Sequence, residues 1–293
     1  MARILISTPL LPECLSSLAG HELIQGDPGS DPQAQALICG PTESVDRGAQ
    51  ERMPGLRVIS VAGAGSDAVD HRAAQERSIP VLTSGEALVE STADLAFGLI
   101  IAASRLMGEA QAMLRAGSWQ GWRFIEEQFG RDVHGARLGL VGYGAIAQAL
   151  ARRAEAFDMR ILHHTRHPTG VPGWTGSLDE MLAESDILSI HVPLTEQTRG
   201  LIDRRRISLL PAGSVLVNTA RGAVLDEEAL ADALERGSLL AAGLDVYTAE
   251  PAVSPRLLAA PRVILLPHIG SATLPTRRRM LAAAAEKLLP FLG

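Results

Sequence analysis

Leu138-Gly139-Leu140-Val141-Gly142-Tyr143-Gly144-Ala145-Ile146-Ala147 is the stretch on which the fold turns. Leu138 to Val141 is a short apolar run that reads as a buried strand, and Ala145 to Phe157 reads as a helix. Between them the glycines fall in the spacing Gly-x-Gly-x-x-Ala. Gly142 permits a tight turn, Gly144 lets a pyrophosphate approach the backbone, and Ala147 is small enough for helix to pack on strand. The amides at the helix start, around Ala145 and Ile146, can donate to phosphates, helped by the helix dipole. Such a pattern alone is a weak signal. With a strand before it and a helix after it, it reads as a dinucleotide-binding turn.

Downstream, a second strand is expected over Arg160 to His164, followed by Thr165-Arg166-His167. An acid at the end of this strand would bind the ribose 2′-hydroxyl of NAD. None is present, and Arg166 is able to pair with a 2′-phosphate. NADP(H) is therefore favoured, with NAD(H) the alternative. His163, His164 and His167 do not read as a metal site, because adjacent strand residues point to opposite faces and no Cys or acid stands nearby.

Further strands follow at Ile187 to His191, Val215 to Asn218, Leu240 to Asp245 and Val263 to Leu266. Arg221, Glu250 and His268 each sit just past one of the last three runs. If these are neighbouring parallel strands, their carboxyl ends open on one crevice, where open α/β sheets bind ligands. A guanidinium, a carboxylate and an imidazole at that crevice suit anion binding coupled to proton transfer.

Upstream of the glycine turn, strands at Arg3 to Ser7, Ala36 to Cys39, Arg57 to Val61 and Pro80 to Thr83 alternate with helical segments, which implies a second parallel sheet. Ser91, with Asp94 three residues on, opens one long helix that Gly117 would stop. Trp119 and Trp122 follow in a polar stretch. The last helix, Thr276 to Leu289, comes too late for the second sheet's alternation and is expected to return to the first domain. The expected organisation is α/β, with two doubly wound parallel-sheet domains. A flavodoxin-like domain takes 1–90 plus 274–293, and a Rossmann dinucleotide-binding domain takes 91–273.

With 293 residues the chain is long enough for two cores. Its net charge of -6 argues against a general nucleic-acid binder. Two cysteines make no disulfide framework, so a cytoplasmic setting is expected. No apolar run approaches membrane-spanning length, the longest being Leu95 to Ala103, which is too short.

Taken together, Leu138 to Ala147, Asn218-Thr219-Ala220-Arg221-Gly222, Gly243-Leu244-Asp245-Val246, Glu250-Pro251 and Pro267-His268-Ile269-Gly270-Ser271-Ala272-Thr273 resemble the D-isomer-specific 2-hydroxyacid dehydrogenases. The likeness spans nearly the whole chain, and it implies that the flavodoxin-like domain, completed by the last helix, is the substrate domain. Within that family it is nearest the NADPH-dependent glyoxylate/hydroxypyruvate reductases, through Thr165-Arg166 and the His-Ile-Gly-Ser-Ala-Thr run. The resemblance implies an oxidoreductase acting on small 2-oxo or 2-hydroxy acids. His268 would be the acid and base, Glu250 would orient it, and Arg221 would clamp the substrate carboxylate. The amides of Ala64 and Gly65 would hold the other carboxylate oxygen, with Arg221 and His268 completing the substrate contacts. Asp245 would accept from the nicotinamide carboxamide, and Thr92 would touch the nicotinamide side. Gly142, Gly144, Ala145, Ile146, Thr165, Arg166, Val192, Pro193, Thr219, Ala220 and Gly270 would complete the cofactor site. A homodimer formed through the central helix region is also implied. Ala147, Thr165, Ser66 and Gly85 depart from the common pattern. The competing readings are a dinucleotide-sensing regulatory protein of the same fold and a phosphite- or formate-type dehydrogenase.

Overall fold

Strands and helices alternate along the chain in the computed structural model, which describes residues 1–9, 11–122 and 129–292. The first strands are β1 (Arg3–Ile6), β2 (Glu22–Gln25) and β3 (Ala36–Cys39). Helix α1 (Arg47–Glu51), β4 (Val58–Val61), α2 (His71–Glu76), β5 (Val81–Thr83) and α3 (Val89–Ser104) follow. Next come α4 (Met107–Arg115), β6 (Arg137–Val141), α5 (Ala145–Glu155), β7 (Arg160–His164), α6 (Leu178–Glu184) and β8 (Ile187–Ile190). The remainder is α7 (Arg204–Ile207), β9 (Ser214–Asn218), α8 (Glu227–Glu235), β10 (Leu239–Leu244), α9 (Pro255–Ala259), β11 (Val263–Leu265) and α10 (Leu274–Glu286). The chain divides into two compact units. One is Met1–Ser91 with Ser271–Gly293, and the other is Thr92–Gly270.

Unit 1 holds a five-stranded parallel sheet in the order β2-β1-β3-β4-β5. This is the flavodoxin-like 2-1-3-4-5 order. Ile4, Ile6, Ile38 and Val58 cover one face together with Leu281, Ala284, Ala285 and Leu288 from α10 and the turn after it. Leu5, Leu37, Ile59 and Val61 pack the other face with Val45, Met53 and Ala74. Lys287, the chain's only lysine, donates from Nζ to the Thr83 carbonyl at 2.5 Å and pairs with Glu86 at 2.6 Å. That contact fixes the end of α10 to the loop after β5.

Unit 2 carries a six-stranded parallel sheet in the order β11-β10-β9-β8-β6-β7. A further parallel bridge joins His163 to Trp174, so Gly173 to Thr175 acts as a rudimentary strand outside β7. Counting it, the order from that edge is 3-2-1-4-5-6-7, which extends by one strand the 3-2-1-4-5-6 order of dinucleotide-binding folds, and the direction of winding reverses between β6 and β8. The sheet's core joins Leu188, Ile190, Leu216 and Leu244 to Leu182, Leu230 and Leu234 from the flanking helices. Gly243 in β10 lets α3 come close, since a Cβ there would lie 3.1 Å from Leu99 Cβ.

Two expectations need correction. The single helix predicted from Ser91 to Gly117 is two helices, because Leu106 adopts φ 50° and interrupts it. Leu106 is buried whereas α4 has no buried residue, so the break turns one apolar side chain inward and leaves the next helix on the surface. In addition, Gly85–Ser104 is long and apolar enough by composition to suit a membrane span, although Glu86, Glu90 and Asp94 interrupt its apolar run. Half of that stretch is buried within the protein, with Ala93, Ala96, Leu99, Ile100 and Ala103 in the core.

Candidate active site

At the carboxyl edge of the unit 2 sheet, Asn218, Leu244 and Leu265 end β9, β10 and β11 in register. The loops leaving those strands carry Arg221, Asp245, Glu250 and His268. Adjacent parallel strands thus place all four at one edge of one sheet.

The central contact is the imidazole–carboxylate pair. His268 Nδ1 lies 2.7 Å from Glu250 Oε2. The other carboxylate oxygen, Oε1, accepts the Tyr247 amide at 3.0 Å. Glu250 is therefore held by backbone on one side and holds the ring on the other. His268 itself adopts φ 54°, the left-handed region that non-glycine residues seldom enter. Such backbone costs about 1–3 kcal/mol and persists where surrounding contacts dictate it. Those contacts are visible. Asp245 Oδ1 accepts the Ile269 amide at 2.7 Å, Oδ2 accepts the Gly270 amide at 2.8 Å, and the His268 amide donates to the Leu266 carbonyl at 3.1 Å. With Nδ1 engaged, Nε2 is the ring atom left to give or take a proton.

Asp245 is almost fully buried. Burial pushes its carboxyl above the usual range, and the two amides oppose that shift. Beside it the Thr92 hydroxyl donates to the Gly270 carbonyl at 3.3 Å. Thr92, Asp245 and Gly270 thus form one hydrogen-bonded cluster next to His268. Tyr247 braces the same region, its hydroxyl donating to the Leu266 carbonyl at 2.9 Å. Burial pushes that phenol up to about 12, so it stays a donor at neutral pH.

Arg221 is placed by its neighbours. The buried Asn218 side chain accepts the Ala220 amide and donates to the Arg221 carbonyl, both at 3.0 Å, which shapes the Thr219–Ala220–Arg221 corner. A Cβ on Gly222 would fall 1.9 Å from the Tyr247 carbonyl carbon. Glycine alone lets this corner lie flat against the chain that leads to Glu250. Asn218 and Tyr247 were missed as site residues. An amide at a strand end is the one sequence signal that could have pointed to Asn218.

The glycine turn lies at the reversal point between β6 and β8. Gly142 has φ 92°, and a Cβ there would meet the His191 carbonyl at 2.5 Å and Val192 Cγ1 at 2.9 Å. Val192 and Pro193, in the loop after β8, therefore face the turn. Around Gly144 no atom would lie within 4 Å of an added Cβ, and no side chain caps α5. Open space in front of uncapped amides at Ala145 and Ile146 is what a dinucleotide pyrophosphate requires, so these residues fit the group.

Beyond the turn, the Tyr143 ring stacks on the buried His163 ring with centroids 3.9 Å apart. Burial holds that imidazole below its usual range. Thr165 is half-buried and Arg166 is exposed at the end of β7. Among the described residues, no three His, Cys, Asp or Glu groups cluster as metal ligands. Ala64 and Gly65 belong to unit 1. Their loop is pressed by Gly63, where a Cβ would meet Pro41 Cβ at 2.7 Å, and by Gly85, where one would meet Ala64 Cα at 2.9 Å. Gly85, where the resemblance leads one to expect proline, is thus a close-approach position. Ser66 contacts His71 Nε2 through both Oγ and its carbonyl oxygen, each at 2.9 Å.

Comparison with known proteins agrees with this geometry. The family model described as D-isomer specific 2-hydroxyacid dehydrogenase, NAD binding domain, matches residues 97–270. A glyoxylate reductase of Thermococcus litoralis is 38% identical over 268 residues, covering 88% of this chain and 81% of that protein. A hydroxypyruvate reductase of Thermotoga maritima is 37% identical over 267 residues, covering 89% and 86%. The crystal structure of an NADPH-dependent glyoxylate/hydroxypyruvate reductase from Sinorhizobium meliloti, in complex with NADP and malonate, superimposes with a TM-score of 0.88 at 32% identity, covering 98% of this chain and 92% of that one. A glycine turn at a sheet reversal point, an imidazole–carboxylate pair at the same carboxyl edge of that sheet and this similarity over most of the chain lead to one conclusion: the protein belongs to the D-isomer specific 2-hydroxyacid dehydrogenases, oxidoreductases that bind a nicotinamide dinucleotide.

Proposed function

We propose that this enzyme reduces small 2-oxo acids, glyoxylate and hydroxypyruvate foremost, and that NADPH is its favoured reductant. The observation that carries the reading is the 2.7 Å contact between His268 and Glu250 at the sheet edge that also holds the glycine turn. The bound dinucleotide supplies the hydride. Reduction of a carbonyl leaves negative charge on its oxygen, and His268 Nε2 is the group suited to protonate that oxygen. In the reverse direction the same nitrogen takes the proton. Glu250 fixes the tautomer through Nδ1 and stabilises the positive ring formed when Nε2 accepts a proton. Arg221 offers a planar fork for the substrate carboxylate and polarises the adjacent carbonyl. The relatives named glyoxylate and hydroxypyruvate reductases support the substrate class. The absence of an acid at the end of β7, with Thr165 in its place and Arg166 next to it, supports NADPH.

The test is oxidation of NADPH and of NADH followed spectrophotometrically with glyoxylate, hydroxypyruvate, pyruvate and phenylpyruvate. Fastest turnover with NADPH and the two smallest hydrophilic acids is expected. Tight dinucleotide binding with no turnover on any 2-oxo acid would instead favour a sensor.

We further propose that the protein is a homodimer through the α4 region. Met113, Leu114, Trp119 and Trp122 are 48%, 63%, 58% and 79% exposed, an apolar surface that isolated monomers seldom leave bare.

A further inference from the structure

The loop that carries Arg166 is held from behind. Thr165 Oγ1 accepts the indole N–H of Trp174 at 3.1 Å and donates its own proton to the His167 carbonyl at 2.6 Å. A hydroxyl that accepts one bond and donates another has no rotational freedom left. The second bond closes a small turn with Arg166 at its middle. Trp174 is in turn fixed to the sheet, because the flanking residues make two backbone bonds to His163. The His163 amide donates to the Gly173 carbonyl, and the Thr175 amide donates to the His163 carbonyl, both at 2.8 Å. The His164 ring adds a contact to the Thr175 carbonyl at 2.9 Å. Gly173 has φ 89°, and a Cβ there would lie 2.3 Å from the Ile161 carbonyl oxygen, so the strap lies closer to β7 than any side chain would allow. His163 also stacks on Tyr143 of the glycine turn. A continuous set of contacts therefore runs from the turn suited to the pyrophosphate, through His163 and the strap, to Trp174, Thr165 and the turn around Arg166.

We propose that Trp174 is a positioning residue for cofactor specificity: through the Thr165 hydroxyl its indole N–H holds the Thr165–His167 turn so that Arg166 stands ready for a phosphate on the ribose 2′-oxygen. This rests on the reading of NADPH as the favoured cofactor. The physical reason is preorganisation. A guanidinium on a loose loop must give up loop and rotamer freedom when it grips a phosphate, and a loop ordered beforehand has already given up most of it. A ligand without the 2′-phosphate does not use Arg166, so slackening the turn leaves its binding unchanged. The effect of Trp174 is thus confined to phosphorylated ligands, unlike that of a residue that only stabilises the sheet edge.

Titration calorimetry on the full chain with adenosine 2′,5′-bisphosphate and with 5′-AMP tests this without turnover. Trp174→Phe keeps the ring and removes the donor; Thr165→Val removes the hydroxyl; Thr165→Ser restores it. Trp174→Phe is expected to weaken the bisphosphate by roughly five- to tenfold, the worth of one net hydrogen bond, and to leave AMP unchanged, and Thr165→Val is expected to weaken the bisphosphate at least as much. Thr165→Ser should bind both ligands as the natural protein does. Equal weakening of both ligands would show a merely structural role and overturn the proposal. Arg166→Ala separates the two levels. If it abolishes the preference for the bisphosphate while Trp174→Phe and Thr165→Val leave it intact, the proposal fails and the NADPH reading stands. If Arg166→Ala leaves the preference intact, both fail.

Discussion

Glu250 reaches His268 Nδ1 at 2.7 Å with one carboxylate oxygen while the other accepts the Tyr247 amide at 3.0 Å. The carboxylate is thereby a bracket between the main chain after β10 and the ring after β11. Removing the ring and removing the bracket should have different consequences. His268→Ala should lower kcat by about 10²–10⁴-fold, the usual worth of a general acid, and leave dinucleotide affinity nearly intact. Glu250→Gln keeps the shape and loses the charge, and should cost about ten- to a hundredfold in kcat. Steady-state kinetics beside direct cofactor titration measures both. Full activity in His268→Ala would end the assignment.

Arg221 is held by the Asn218 corner, and its value lies in a planar pair of donors. Arg221→Lys keeps the charge and loses the fork. The expected result is a KM for the 2-oxo acid raised by roughly tenfold or more, in keeping with loss of a charge-assisted hydrogen bond. An unchanged KM would place the substrate carboxylate elsewhere.

Gly222→Ala tests the contact between the two site loops. The added methyl would fall 1.9 Å from the Tyr247 carbonyl carbon, so the corner must move. A loss of about 1–3 kcal/mol in chemical denaturation is expected, the usual cost of overpacking. Because Arg221 precedes this residue and Tyr247 supports Glu250, kcat/KM should fall as well. Natural stability with natural activity would contradict the geometry.

Asp186 sets an acid limit. Hydrogen bonds from the Arg137 side chain hold its carboxyl well below the ordinary range, against the opposing effect of burial, and Arg137's amide and Arg131 add to the hold. A depressed carboxyl contributes stability above its unfolded value near pH 4 and loses that contribution as pH falls toward the folded value. Asp186→Asn should therefore cost about 2 kcal/mol at pH 7, the worth of charged hydrogen bonds in a site only 19% exposed. The gap between variant and natural protein should narrow at pH 3. Urea denaturation at the two pH values gives the comparison.

Leu114→Glu places a charge on the exposed face of α4, where Leu114 is 63% exposed. Light scattering should show the natural chain as a dimer and the variant shifted toward monomer. A monomeric natural chain would remove the dimer proposal.

Much of the fold is legible because its signals are local. Val141 followed by Gly142 and Gly144 marks the turn, and apolar runs such as Val215 to Asn218 mark central strands that are buried on both faces. Arg221, Glu250 and His268 stand out because each follows one of three successive apolar runs, and parallel neighbours would open all three on one crevice. What stayed hidden depends on partners distant in sequence. The strand Glu22–Gln25 is a half-buried edge with mixed polarity, so no apolar run announces it. Leu106 breaks the long helix in the left-handed region, and the glycine nearby, Gly108, lies inside the second helix and not at the break itself. Thr165 and Trp174 are nine residues apart and meet only because a strap folds back on β7. Asp245 reads as a cofactor contact, yet both its oxygens already accept backbone amides, which no periodicity would disclose.

Because unit 1 draws on both ends of the sequence, with all of unit 2 between them, translation imposes a timetable on folding. When Ile4, Ile38 and Val58 have left the ribosome, the α10 residues that cover them, Leu281 and Ala284 among them, have yet to be synthesised. Unit 2 is continuous and needs no residue of α10 to form its own sheet, as domains fold in units. A released chain that stops before Leu274 should therefore carry a finished Rossmann sheet and a flavodoxin-like sheet with one greasy face bare, a ready target for chaperones.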